Sequence, residues 1–148
     1  MSDLTELITG LPCFKAPSNI TPLGGGITNT NVTVEDEDCK YVVRIGSDIA
    51  EHGVMRWNEL ALSQAAYKLG ISPKVIYHKT GVLVLEFLDA HTLDEAAVRE
   101  PKNLIRIINL VAKTHRGIGK CLHSPILTFW PFQILSLIHI SEPTRPID

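Results

Sequence analysis

Disulfide chemistry has little to work with in this chain. Its 148 residues include three cysteines, Cys13, Cys39 and Cys121, an odd number, widely spaced and without a C-x-x-C pair. That pattern supports neither a disulfide framework nor a zinc site, and it fits a reducing cytoplasm. An excess of positive charge is also missing: 14 Lys and Arg stand against 16 Asp and Glu, a net charge of −2. Binding to a phosphate backbone normally rests on a basic surplus, so nucleic acid is not an expected partner. The start, "MSDLTELITG", has neither the basic residues nor the apolar core of a signal peptide. The longest apolar run, "ILTFWPFQILSLIHI", has 15 residues and is broken by Pro131 and Gln133. A membrane span needs ~20, so no membrane partner is expected. What remains is an ordinary soluble composition, 45% hydrophobic and 20% charged, without internal repeats or a low-complexity linker.

After a short N-terminal segment, "NITPL" leads into Gly24, Gly25 and Gly26, and "TNTNVTV" reads as a strand from its Thr and Val content. The acidic cluster Glu35 to Asp38 reads as a turn, and "CKYVVRI" as a second β-rich run paired with the first in an antiparallel hairpin. Period-two alternation puts Tyr41, Val43 and Ile45 on one face and Val42 with Arg44 on the other. From Val54 to Leu69 the apolar spacing predicts a helix, with Gly70 just past its end and Pro73 soon after. "KVIYH" and "GVLVLEFL" read as strands joined through Lys79, Thr80 and Gly81. Thr92 is a candidate N-cap for a short helix. The segment from Asn103 repeats Leu104, Ile107, Ile108 and Val111 as one helical face and closes at Gly117. Strands grouped around one helix favour an α+β fold with a mostly antiparallel sheet over a doubly wound parallel one.

The motifs "LGGGITNTNVTV", "YVVRIGSD", "RWNELALSQAAYKLGISPKVIY", "GVLVLEFLDAHTL" and "NLIRIINLVAKTHR" occur in that order from about Leu23 to Gln133. Each is weak alone. In this order and spacing the chain resembles the choline and ethanolamine kinase branch of the aminoglycoside-phosphotransferase-like kinases, which have a protein-kinase-like fold. The resemblance implies an N-lobe of about five antiparallel strands with one packed helix over residues 1–88. A hinge, linker helices and the start of a C-lobe follow over 89–134. The parent activity it implies is transfer of the γ-phosphoryl group of ATP, with Mg²⁺, to the hydroxyl of choline, ethanolamine or a similar small amino alcohol. An antibiotic or sugar kinase of the same superfamily is the alternative within enzymes, and a non-catalytic nucleotide-binding module the alternative outside them.

Each candidate site residue has a chemical reason. Gly24, Gly25 and Gly26 let a turn approach phosphates closely and offer backbone N–H groups, while Thr28 and Asn29 add short polar donors; a plain glycine turn is the other reading. Arg44 stands where the resemblance implies a strand cation against the nucleotide phosphates, and its guanidinium can grip phosphate with two parallel N–H bonds. A solvent-facing strand arginine would show the same alternation. The resemblance implies that Glu59, on the following helix, pairs with Arg44, with Glu51 as a competitor and a solvated helix face as the alternative. Val42 would roof the adenine, and the backbone around Glu86, Phe87 and Leu88 would bond its edge. His115 reads as structural.

The kinase mechanism needs an aspartate base and magnesium carboxylates from a second lobe. No H-x-D with a following Asn and no D-x-D or D-x-E motif lies downstream in this sequence, so catalytic and metal residues are not expected within it, and the 148 residues alone are expected to be inactive. The end, "LSLIHISEPTRPID", suggests why. Its first eleven residues, Leu135 to Arg145, resemble the translation of a transposon adapter used in preparing DNA libraries. Residues 135–148 are therefore expected to be adapter-derived and the natural chain to continue beyond them.

Overall fold

The computed structural model describes residues 2–24, 29–50 and 53–127. Nine elements follow one another: helix α1 (Ser2–Thr9), strands β1 (Pro17–Leu23), β2 (Thr30–Asp36) and β3 (Cys39–Ile45), helix α2 (Arg56–Lys68), strands β4 (Val75–Lys79) and β5 (Val82–Glu86), and helices α3 (Glu95–Arg99) and α4 (Pro101–Cys121). The strands form one antiparallel sheet in the order β1-β2-β3-β5-β4. This is the expected α+β architecture.

The pleat sorts the side chains as the alternation predicts. Across one face run Val32, Val43, Val84 and Tyr77, each opposite the next, with Val34 opposite Tyr41 and Ile45 opposite Val82 in the flanking rows. The N-terminal segment, expected only as a short lead-in, is a helix that covers this face. Leu4, Leu7, Ile8 and Leu11 recur at intervals of three and four, the spacing of an amphipathic helix and the turn beyond it. Ile8, Leu11, Val32, Val34, Val43 and Val84 are fully buried, and Phe14 tilts against Tyr41 with ring centroids 5.4 Å apart. Burial pushes the Cys13 thiol above its ordinary pKa. A side-chain hydrogen bond with Cys39 raises the Tyr41 phenol.

A buried carboxylate fixes the segment between α1 and β1. Asp36 accepts the Lys15 and Ala16 amides at 3.1 and 2.6 Å and is only 6% exposed. This changes the expected turn, because Glu35 and Asp36 belong to β2 and the chain reverses at Glu37, with φ 54°, and Asp38. At the β4–β5 turn, Gly81 takes φ 75°, a value that strains a residue with a Cβ.

Elsewhere the helices depart from expectation in detail. Helix α2 begins at Arg56 rather than Val54, because Val54 is bridged to Ile49. The short helix is capped by Asp94, whose carboxylate accepts the Ala97 amide at 2.8 Å, and not by Thr92. Helix α4 does not close at Gly117 but runs on to Cys121. A Cβ at Gly117 would stand 2.5 Å from Leu69 Cδ1, so glycine there lets α2 and α4 approach closely. His115 is therefore well inside α4 and exposed, not a C-terminal cap. The expected apolar face of α4 is largely uncovered: Leu104, Ile108 and Val111 are each 45% or more exposed and Ile107 is half-buried, while Asn103 is buried and donates to the Ala97 carbonyl at 2.9 Å. The stripe reads as a core face by periodicity, yet α2 and α3, which contact α4, leave most of it open. Residues 128–148, including Pro131, Gln133 and the adapter-like stretch, lie outside the described residues.

Candidate functional site

The second face of the sheet carries different chemistry. One row crosses it as Thr21, Thr33, Val42 and Leu85, and the next as Leu23, Asn31, Arg44, Leu83 and His78. Polar residues occupy β2, aliphatic ones β5, and Arg44 stands between them on β3. Thr21 and Thr33 hydroxyls are 2.6 Å apart, satisfying each other across the strands. Val42 is half-buried, two residues from Arg44 on the same face.

Arg44 is held from two sides. Its Nε donates to Asn31 Oδ1 on β2 at 3.2 Å, and its Nη1 to Glu59 Oε1 on α2 at 2.5 Å. The Arg44 side chain is 34% exposed and that of Glu59 19% exposed, so the pair is sheltered without being sealed. Glu51 lies outside the described residues.

A second arginine, absent from the expected site, completes the cluster. Arg56 Nη1 donates to Glu59 Oε2 at 2.7 Å, so the two oxygens of one carboxylate hold two guanidiniums. Arg56 is itself braced: Nε donates to the Ser47 carbonyl at 2.9 Å and its backbone N–H to Asp48 Oδ1 at 2.6 Å. The spacing R-x-x-E was visible in "RWNEL", since residues three apart share a helix face. With Asp48 and Lys79 counted, three cations stand against two carboxylates, which leaves one net positive charge. That surplus faces a cavity of about 510 Å³ between α2 and the β4–β5 turn, lined by Arg44, Arg56, Glu59, Lys79, Trp57 and Leu83 among others. A smaller hollow of about 340 Å³ lies beside Asn29, Met55, Glu59 and Leu62.

The remaining predicted residues divide. Gly24 ends β1, and a Cβ on it would meet nothing within 4 Å. Gly25, Gly26 and Thr28 lie outside the described residues. Asn29 enters β2 and shares the smaller hollow with Glu59. Val42, Glu86, Phe87 and Leu88 line neither cavity. The expected adenine edge is narrower than its residue range, because the Glu86 amide donates to the Lys74 carbonyl at 2.9 Å and the Phe87 amide to the Lys40 carbonyl at 3.1 Å. Among the described residues the Leu88 N–H has no acceptor. The Phe87 ring is occupied as well, with Lys40 Nζ 4.6 Å above its centroid.

No protein-family model and no curated protein sequence matches this chain. Among solved structures it is similar to an ethanolamine kinase from Plasmodium vivax, with a TM-score of 0.58 and 19% sequence identity over 83% of this chain. The fold is thus that of a kinase-like N-lobe, and the chain spans 30% of the length of the matched kinase. No helix among the described residues is long and apolar enough to cross a membrane.

Proposed function

We propose that this chain is the nucleotide-binding lobe of an ATP-dependent small-molecule kinase, one that phosphorylates the hydroxyl of choline, ethanolamine or a similar amino alcohol. The carrying observation is the ion pair between Arg44 on the third strand and Glu59 on the following helix, on the half-open face of a five-stranded antiparallel sheet. Arg44 is presented rather than consumed: Glu59 and Asn31 orient it, and a third of it stays exposed. A guanidinium so fixed contributes charge to a phosphate without first losing its own side-chain freedom.

In this reading the phosphates lie against Arg44 and the glycine segment from Gly24 to Asn29. The adenine lies over Val42, with the Leu88 N–H as the available donor at its edge. Phosphoryl transfer also needs a base for the acceptor hydroxyl and carboxylates for Mg²⁺. The proposed role of these residues is to bind and orient ATP. Base, metal ligands and the alcohol pocket belong to a second lobe, which on this reading the parent protein supplies.

Displacement of a fluorescent ATP analogue by ATP tests the reading. The 148-residue chain should bind, and Arg44→Met should weaken binding at least about tenfold, the scale of one lost charged hydrogen bond. The chain alone should transfer no phosphate to choline or ethanolamine. Equal binding by the Arg44→Met variant would remove the basis of the proposal.

A further inference from the structure

Two described side-chain atoms are buried without a hydrogen-bond partner, Asn29 Oδ1 and Arg56 Nη2. One is an acceptor, the other a donor, and both face the same point. A Cβ built on Gly46 would stand 2.6 Å from Asn29 Oδ1 and 2.9 Å from Arg56 Nη2. Each atom is the kind of partner the other lacks, and burying either unpaired is costly. A small side-chain movement, or one bridging water, joins them. Gly46 makes the meeting possible because it has no side chain to occupy the space.

Three parts of the site converge there. Asn29 closes the glycine segment, Gly46 follows β3 directly after Ile45, and Arg56 opens α2. The other polar groups of Arg56 are committed, to Ser47, Asp48 and Glu59, which leaves Nη2 for Asn29. We infer that Arg56 is a positioning residue that couples Asn29, at the entry to β2, to the Arg44–Glu59 pair. With one edge of its guanidinium it holds Glu59 toward Arg44, and through Nη2 it ties α2 to Asn29. Seating Asn29 and orienting Arg44 are then one event rather than two. Lysine cannot substitute, since a single ammonium does not reproduce the rigid fork that spans Ser47, Glu59 and Asn29.

The inference rests on the nucleotide reading for its purpose, but the tie itself is measurable without nucleotide. In the 148-residue chain, Asn29→Ala should move the Arg56 Nε–Hε NMR resonance and, by leaving Nη2 buried without an acceptor, lower the melting temperature slightly; an unmoved resonance overturns the tie. Displacement of a fluorescent ATP analogue gives the second arm. Arg56→Lys should weaken binding about tenfold and Asn29→Ala about threefold, the range of single charged and neutral hydrogen bonds. The double variant should bind no more weakly than Arg56→Lys alone, because both changes cut the same link. Multiplying effects would overturn the coupling. A wild-type chain that binds no nucleotide would overturn the nucleotide reading, with the resonance still deciding whether Arg56 and Asn29 are joined.

Discussion

The two faces of this sheet are built from the same five strands yet solve opposite problems. On the α1 face, Val32, Val34, Val43 and Val84 are sealed under Ile8, Leu11 and Phe14, and the interior is aliphatic. On the α2 face, Thr33, Asn31, Val42 and Arg44 occupy the alternate positions of the same strands, and the charged group is only partly covered. The closed core and the candidate site thus fall on alternate residues of the same strands. Val43 can serve packing because Arg44, its neighbour, points away. The separation lets a polar, half-open site exist on a small sheet without placing an unpaired charge in its core.

This contrast can be broken by substitution. The largest effect should come from Ile8→Ala, which removes a fully buried side chain of the closed face. It should cost ~2–5 kcal/mol in urea unfolding, whereas Val42→Ala on the other face should cost under about 1.5 kcal/mol and act mainly on nucleotide affinity. Equal destabilisation by the two would mean that both faces carry the core. Within the open face, Glu59→Gln should destabilise by about 1–2 kcal/mol, since it weakens two charged hydrogen bonds and leaves two guanidiniums facing each other. Arg44→Met should cost less, because Glu59 keeps Arg56. The reverse order, measured by the same unfolding, would show that Arg56 does not share the carboxylate. The smallest effect concerns alkaline pH. A Cys13 pKa raised by burial means that the folded state holds the thiol proton more tightly than the unfolded one, so stability falls as pH rises through the ordinary thiol value of ~8.5 and beyond. Cys13→Ala should flatten that alkaline decline in a pH series of melting temperatures, and an unchanged slope would remove Cys13 from the pH response.

The sequence reveals this division unevenly. Alternation in "YVVRI" separates Val43 from Arg44 because a pleated strand has a period of two and no tertiary information is needed. The register that sets Asn31 beside Arg44 is not legible, because it depends on where the β2–β3 turn falls, and Asp36, which reads as turn, is a buried strand residue. Helix α1 was not read from the sequence: Leu4, Leu7, Ile8 and Leu11 stand at helical intervals, but eight residues of helix are too few to stand without tertiary support. The largely uncovered stripe of α4 shows the limit of periodicity, which says that a helix has an apolar side but not which neighbour covers it. Arg56 was missed because a basic residue in the first turn of a helix usually reads as a solvated one, and only the cluster around Glu59 shows otherwise.

Glu59 spends one oxygen on a residue of its own helix and the other on a residue of the sheet. Helix α2 therefore carries a private counter-ion. Were it to swing away from β3, the carboxylate would depart already neutralised by Arg56, and the rupture would sacrifice one ion pair instead of stranding a lone anion. Arg44 alone would be left bereft, and an incoming phosphate is the kind of group that would console it. The geometry thus confines the electrostatic cost of any parting of α2 from β3 to Arg44, the one cation of the pair left without a counter-ion.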